Sequence, residues 1–109
     1  MNYSKELFRL SRNNISIYID LGFDRGDLLP DGQDIGKTVE EAWGDSDYEY
    51  QVRVKSEHIP MLFRALGIDE RNSKELVDLI AREINGNFSY RDFQKFLGVL
   101  KIPFETFTY

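Results

Sequence analysis

The segment from residue 30 to 38, PDGQDIGKT, contains part of the pattern of a phosphate-binding loop. That pattern is Gly, any four residues, then Gly-Lys-Ser/Thr, because bare backbone N–H groups must reach the phosphate oxygens. Its second half is present, but Asp31 stands where the first glycine is required, and Asp34 lies inside the loop. Both carboxylates repel an anion. The segment therefore predicts a surface loop that leads into a short helix from Ile35 to Trp43, and no nucleotide site.

The same part of the chain contains an incomplete calcium-binding EF-hand loop. Counted from Asp27, Asp31 falls at the fifth position and Gly32 at the sixth, as that loop requires. Leu29 and Thr38 occupy the third and twelfth positions, where oxygen ligands are needed. Weak association of a cation is the alternative to plain solvation of these acids: Asp24, Asp27, Asp31 and Asp34. With two ligands missing, the sequence predicts no metal and no other cofactor.

Catalytic groups are scarce in this sequence. His58 is the only histidine and cysteine is absent, which excludes a Cys–His nucleophile pair and a thiolate zinc site. No G-x-S-x-G elbow occurs. Glu40 and Glu41 are adjacent, so on a helix they point in different directions and do not form a carboxylate pair. We therefore expect no enzyme. A hydrolase that uses His58 is the competing hypothesis, and it predicts a concave pocket around that residue.

The net charge of −5 is unevenly distributed along the chain. Between Asp20 and Glu49 there are ten acidic residues and two basic ones, so this segment carries −8 and the remainder +3. Such a segment repels nucleic acids and anionic lipids, because binding to them depends on cations that displace counterions. The charge predicts a basic protein partner, and no nucleic-acid or membrane binding. A face that only aids solubility is the alternative.

An aromatic side chain within this acidic segment adds to the binding prediction. Interfaces often combine a large aromatic anchor with a charged rim, and Trp43 stands among acids. The alternative is that Trp43 packs its helix onto the sheet. Tyr18 is expected on an exposed strand face, whereas Tyr48 and Tyr50 are expected in the core. The candidate partner-binding residues are Tyr18, Asp20, Asp24, Asp27, Asp31, Asp34, Glu40, Glu41, Trp43, Asp45, Asp47 and Glu49.

Alternating apolar and polar residues predict the strands that must position these side chains. Residues 15–21 and 47–55 alternate strictly, which is typical of half-buried strands. The aromatic and threonine-rich C-terminus from Ile102 to Tyr109 predicts a further strand. Residues 4–10 favour a strand over a short helix capped by Ser4. The connection from Gly22 to Ser46 is predicted to be a long acidic loop, and loops of that length are usually functional.

Capping residues and helical spacing predict three helices. Ser56 is expected to cap the helix of EHIPMLFRALG, which ends at Gly67. Asn72 and Glu75 form a capping box before LVDLIAREI, and Ser89 is expected to cap YRDFQKFLGVL. The predicted fold class is a single α/β (α+β) domain over residues 1–109. It has a mainly antiparallel sheet of three to four strands, about three helices on one face, and a short helix in the acidic connection.

Size and composition limit the protein class further. A chain of 109 residues buries enough surface to fold without a disulfide or a structural metal. The first ten residues lack the apolar core of a signal peptide, and no apolar run approaches the length of a membrane span. The absence of cysteine agrees with a reducing compartment. We expect a soluble, cytoplasmic protein.

Four short motifs occur in the second half of the chain: D-Y-E-Y-x-V-x-V at residues 47–54, E-H-I-P-x-L at 57–62, A-L-G at 65–67, and I-P-F followed by aromatics at 102–109. These motifs resemble those of immunity proteins of bacterial contact-dependent growth inhibition and polymorphic toxin systems. They cover about half of the chain. The resemblance implies a protein that neutralises the C-terminal domain of a cognate toxin, often a basic nuclease, by stoichiometric occlusion, and it carries no shared catalytic residues. The alternative is a small acidic adaptor or regulatory domain that binds another basic host protein.

Overall fold

A computed structural model describes residues 3–12, 14–36, 40–42, 44 and 47–108. In this part of the chain, five strands form one antiparallel sheet in the order β1-β2-β3-β4-β5. The strands are β1 (Ser4–Arg12), β2 (Ile15–Asp24), β3 (Asp27–Ile35), β4 (Asp47–Arg53) and β5 (Glu105–Thr108). Between β4 and β5 the chain forms a 3₁₀ turn (Ser56–His58) and the helices α1 (Ile59–Leu66), α2 (Ser73–Glu83) and α3 (Ser89–Leu100). None of the described helices is long and apolar enough to cross a membrane.

The prediction of a mixed fold with an antiparallel sheet is confirmed, but the sheet has five strands rather than three to four. Strands occur in all four predicted regions, including residues 4–10, and β5 is shorter than its predicted segment. The additional strand is β3, which lies in the segment predicted to be a long loop. Of the described residues within the short predicted helix, 40–42 are helical, whereas Ile35 and Gly36 are not. Ile35 belongs to β3, and Trp43 lies outside the described residues.

Strand β3 has the composition of a loop, and the sheet accommodates it locally. Pro30 has no N–H and is normally absent from a central strand. The β3–β4 ladder ends at Asp31↔Gln51 and resumes only as an isolated bridge at Leu28↔Val54. Pro30 therefore lies where that ladder is interrupted, and its ring is fully buried. Burial of Pro30 and Leu28 on the core face stabilises a strand that local propensity does not favour.

A tight turn joins β2 and β3. Asp24 pairs with Asp27, and the two residues between them have positive φ angles, 53° at Arg25 and 87° at Gly26. Two consecutive positive φ angles are the feature of a type I′ turn, which matches the twist of adjacent antiparallel strands. The favoured sequences for that turn are Asn-Gly and Asp-Gly, so Arg-Gly is a weak signal. This explains why the hairpin is hard to predict.

The capping predictions are confirmed at two positions and wrong at two. Gly67 ends α1 with a φ of 67°, and the Asn72 side chain accepts a hydrogen bond from the Glu75 N–H at 3.3 Å. Ser56 does not cap α1; its backbone N–H donates to the Asp27 carboxylate at 2.8 Å. Ser89 is the first residue of α3, and its hydroxyl donates to the Gly86 carbonyl at 2.6 Å. In both cases a partner outside the helix satisfies the group.

The core lies between one face of the sheet and the three helices. This inner face presents fully buried side chains from β2, β3 and β4, which join one cluster with apolar residues of all three helices. The most completely buried members are Ile19, Leu21, Leu28, Val52, Val54, Leu62, Leu76, Val77, Ile80, Phe93 and Leu97. The helices therefore cover the inner face and leave the opposite face of the sheet to other contacts.

Replacing Gly98 with alanine is expected to stabilise the protein by about 0.5–1 kcal/mol. Gly98 is exposed in α3, and a Cβ atom there has no heavy atom within 4 Å. Alanine reduces the conformational freedom of the unfolded chain without a clash in the helix. Urea denaturation measures the change. Gly67→Ala is the matched control: its left-handed backbone, at φ 67°, makes the same substitution destabilising. A loss of stability in both variants would contradict the expectation.

Candidate protein-binding surface

The face of the sheet opposite the core is polar and accessible, and we call it the outer face. Cross-strand pairing places its side chains in two adjacent rows. The first row is Glu6, Asp20, Asp31 and Gln51, and the second is Arg9, Tyr18, Gln33 and Glu49. Every one of these residues is exposed or partly exposed. A row of side chains on a hydrogen-bonded sheet is held at fixed spacing, so the outer face presents a rigid pattern of charge.

Three carboxylates lie next to one another in the first row. Glu6 pairs with Asp20, and Asp20 pairs with Asp31 on the next strand. Like charges directly opposite each other on neighbouring strands destabilise a sheet. Partial burial, together with the charges of Glu6 and Asp31, raises the pKa of Asp20, while Arg9 acts in the opposite direction. This carboxylate row carries repulsion that a positively charged partner would relieve.

The second row contains an aromatic ring, Tyr18, which lies beside the carboxylates of the first row. The Arg9 guanidinium lies 5.1 Å from the centroid of the Tyr18 ring, and the Arg9 side chain also contacts Glu6 at 3.2 Å. Both members of that ion pair are well exposed, so the pair adds little stability. Tyr18 is thus a partly exposed ring next to negative charge, as predicted for a binding surface.

The structure brings together some of the predicted binding residues. Tyr18, Asp20, Asp31 and Glu49 lie within the two rows of the outer face. Asp47 is at the start of β4, where its carboxylate accepts a hydrogen bond from Gln33 at 2.9 Å. Cross-strand register, which is not visible in a linear sequence, makes neighbours of residues 11 positions apart, as in the pair Asp20↔Asp31.

Other predicted binding residues lie elsewhere. Asp24 and Asp27 both bind Arg53, at 2.7 Å and 2.9 Å, at the turn between β2 and β3. Asp34 lies on the inner face, where its carboxylate accepts a hydrogen bond from the Tyr50 hydroxyl at 2.8 Å. Glu40 and Glu41 are exposed in the helical turn at 40–42. Trp43 and Asp45 fall outside the described part of the chain.

Sequence patterns missed three residues of this region: Arg53, Glu6 and Arg9. Arg53 lies within the strand predicted at residues 47–55 and is not among the candidate binding residues, yet it is the cation that binds Asp24 and Asp27. Glu6 and Arg9 precede the acidic segment but extend its rows through β1. The strand predicted at residues 4–10 was the available signal. It indicates the strand but not its neighbour.

Two other predicted features concern chemistry rather than binding. In the described part of the chain, no group of three or more His, Cys, Asp or Glu side chains is arranged to hold a metal ion. His58 is half-buried in the 3₁₀ turn, and its backbone N–H donates to the Lys55 carbonyl at 2.9 Å. Neither of the two clefts of about 390 Å³ is lined by His58.

Replacing Asp20 with asparagine is expected to stabilise the fold by about 0.5 kcal/mol at neutral pH, because it removes a charge that partial burial and repulsion from Glu6 and Asp31 disfavour. The pKa of Asp20 is raised in the folded state, so its ionised carboxylate destabilises the fold above that pKa. The destabilisation disappears as the pH falls below the pKa in the unfolded state, about 3.8. Urea denaturation of the wild type and of Asp20→Asn at pH 7 and pH 3.5 measures the change in the free energy of unfolding at each pH. Glu70→Gln, an exposed acid outside the sheet, is the control. Equal stabilisation by both variants would contradict the role of the row.

Comparison of the chain with protein-family models, curated proteins and solved structures finds no match, so the arrangement of the outer face and the sequence motifs are the basis for a functional conclusion.

Proposed function

We propose that the protein is an immunity protein that binds a basic toxin domain through the outer face of its sheet and blocks it by occlusion. The observation that carries this proposal is the carboxylate row Glu6, Asp20 and Asp31 on a face that the helices leave uncovered. A row of like charges is unfavourable in the isolated protein. The presence of this carboxylate row on the sheet is explained if a positively charged partner neutralises it.

Binding through this face has a clear physical basis. The negative potential attracts a basic partner before contact and raises the association rate, particularly at low ionic strength. Once contact is made, the strands already hold the backbone of the carboxylate row in place, so binding has to order only the side chains. Tyr18 supplies an aromatic contact beside the charges. Charge sets the class of partner, and Tyr18 contributes contact area.

The motifs at 47–54, 57–62, 65–67 and 102–109 support a toxin domain as the partner, because they resemble those of toxin-immunity families. A basic nuclease domain fits the charge, since carboxylates can occupy the positions of substrate phosphates. We place the interaction in the cytoplasm. The protein acts by binding and requires no catalysis or cofactor of its own. An adaptor for another basic host protein is the alternative, and it uses the same charged face.

The decisive experiment uses the C-terminal domain of the protein encoded immediately upstream as the binding probe. Isothermal titration calorimetry at low salt is expected to show a one-to-one complex. The triple variant Asp20→Asn, Asp31→Asn and Glu49→Gln is expected to weaken binding at least about tenfold, because close charge pairs at an interface each contribute more than 1 kcal/mol. Raising the salt concentration is expected to slow association of the wild type more than of the variant.

The control is a second triple variant with the same change in net charge. Glu57→Gln, Glu70→Gln and Glu83→Gln remove three exposed acids from the helical side of the protein. This control is expected to bind almost as the wild type does. Equal losses in both variants would show that net charge, not the outer face, controls binding. Absence of any complex at low salt would contradict the immunity function, and a complex with a different basic protein that is lost in the first variant would favour the adaptor.

A further inference from the structure

A concave region lies on the inner face of the sheet, on the opposite side from the outer face. It is a cleft of about 390 Å³ between β2–β4 and the beginning of α3. We call it the tyrosine cleft, and its lining residues are Ile17, Asp34, Tyr48, Tyr50, Asn87, Phe88, Tyr90 and Arg91. Tyr48 and Tyr50 are half-buried here rather than enclosed in the core. A volume of this size is typical of a site for a small ligand.

The aromatic rings of the cleft are held in a fixed arrangement. The centroids of Tyr48 and Tyr50 are 5.6 Å apart, and the Tyr50 and Tyr90 rings are nearly perpendicular, at 86°, with centroids 4.9 Å apart. The Tyr50 ring also lies directly over Gly32, where a Cβ atom would be only 2.1 Å from Tyr50 Cε2. Contacts from two sides therefore leave Tyr50 little freedom. The rings form a preorganised surface and need little reordering to accept a ligand.

A carboxylate lies among these rings. Asp34 is half-buried, and its Oδ1 accepts a hydrogen bond from the Tyr50 hydroxyl at 2.8 Å. Burial raises the pKa of Asp34, and the hydrogen bond from Tyr50 partly offsets the effect. Raised pKa values in a cleft are frequent at binding sites. The faces of aromatic rings carry partial negative charge, so Asp34 and the rings favour the same kind of ligand.

One cation is already present at the edge of the cleft. The Arg91 guanidinium lies 4.8 Å from the centroid of the Phe88 ring, and the Phe88 side chain is 59 % exposed. Arg91 thus shows that an aromatic ring of this cleft already contacts a cation. Its charge also opposes the entry of a second cation, so its removal provides a test of the sign of the ligand charge.

We propose that the tyrosine cleft is a binding site for an organic cation of the alkylammonium class, held by the aromatic rings of Tyr48, Tyr50 and Tyr90 and by the Asp34 carboxylate. Aromatic surfaces with a nearby carboxylate are the usual means by which proteins bind such cations. The inference does not depend on the proposed function, because the cleft and the outer face lie on opposite sides of the sheet. A free small amine and a lysine side chain of a peptide share this chemistry.

The test compares a cation with its neutral isostere. Choline and 3,3-dimethylbutan-1-ol have the same shape and differ in charge, so NMR titration of the tyrosine ring signals of the full chain separates cation binding from apolar burial. Choline is expected to bind at least about tenfold more tightly than the alcohol. Equal affinity, or no shift of ring signals by any cation, would overturn the proposal. Butylammonium and N-acetyl-lysine methylamide distinguish the sources: tighter binding of the former indicates a free amine, and of the latter a peptide.

Variants locate the site and the sign of the charge. Tyr48→Leu and Asp34→Asn are each expected to weaken choline binding at least about fivefold. Arg91→Gln is expected to tighten binding, because it removes a competing charge. Phe107→Leu, an aromatic substitution in β5 outside the cleft, is the matched control. Weaker binding in Arg91→Gln together with tighter binding in Asp34→Asn would indicate an anion site and overturn the proposal.

Discussion

Replacing Asp27 with alanine is expected to lower the free energy of unfolding by about 3 kcal/mol, the largest loss we expect from a change outside the apolar core. Asp27 is only 8 % exposed. Its carboxylate accepts hydrogen bonds from Arg53 at 2.9 Å and from the Ser56 backbone N–H at 2.8 Å, and Lys55 lies 3.7 Å away. Alanine leaves the Arg53 side chain, which is 15 % exposed, without its buried partner.

Two variants separate the contributions of Asp27. Asp27→Asn retains an oxygen that can accept the Ser56 N–H, so it is expected to be less harmful than alanine. Asp24→Asn is the matched control, because Asp24 binds the same Arg53 from an exposed position and is expected to cost much less. Urea denaturation measures all three. If Asp24→Asn were as destabilising as Asp27→Ala, burial would not be the reason for the effect.

The same carboxylate is expected to make the fold sensitive to acid. Burial alone would raise the pKa of Asp27, but the hydrogen bonds from Arg53 and Ser56 and the charges of Lys55 and Arg53 lower it below the ordinary value of 3.8. Because the pKa of Asp27 is lower in the folded state than in the unfolded state, its carboxylate stabilises the fold at pH values above the unfolded-state pKa. This contribution is lost as the pH falls through the folded-state pKa. Wild-type stability is therefore expected to fall more steeply below about pH 4 than that of Asp27→Asn. Parallel stability profiles would contradict this.

Replacing Gly32 with alanine is expected to destabilise the protein by about 2 kcal/mol, because the new methyl group overlaps the Tyr50 ring. The Cβ position is 2.1 Å from Tyr50 Cε2 and 2.4 Å from Cζ, so the ring must move. Displacement also breaks the contact between Tyr50 and Tyr90 and the hydrogen bond from Tyr50 to Asp34. Choline binding by the tyrosine cleft is expected to fall with stability.

A double variant identifies the cause of this loss. In Gly32→Ala combined with Tyr50→Leu, the ring is absent, so adding the methyl group is expected to cost much less than in the wild type. Thermal and urea denaturation of the four proteins in this cycle measure the coupling between the two positions. Gly98→Ala makes the same chemical change in open space, with the opposite expected sign. Additive effects at Gly32 and Tyr50 would contradict the overlap as the cause.

The elements of this fold that are predictable from sequence are those with strong local patterns. β2 and β4 alternate strictly, and α2 carries the Asn72–Glu75 cap, so local residues alone identify them. β3 is different, because Pro30 and Gly32 are typical of loops. Its strand conformation depends on the burial of Pro30 and on the type I′ turn at Arg25-Gly26, for which Arg-Gly is not a favoured sequence. Tertiary packing overrides local propensity there.

The amino-acid sequence by itself determined the concentration of acids between residues 20 and 49, on which the prediction of a basic partner depends. Only the tertiary structure decided how those acids are divided. Asp20 and Asp31 become neighbours on the outer face, Asp27 becomes a buried partner of Arg53, and Asp34 turns towards the tyrosine cleft. The physical reason is that a strand sends successive side chains to opposite faces, while cross-strand register determines which of them meet.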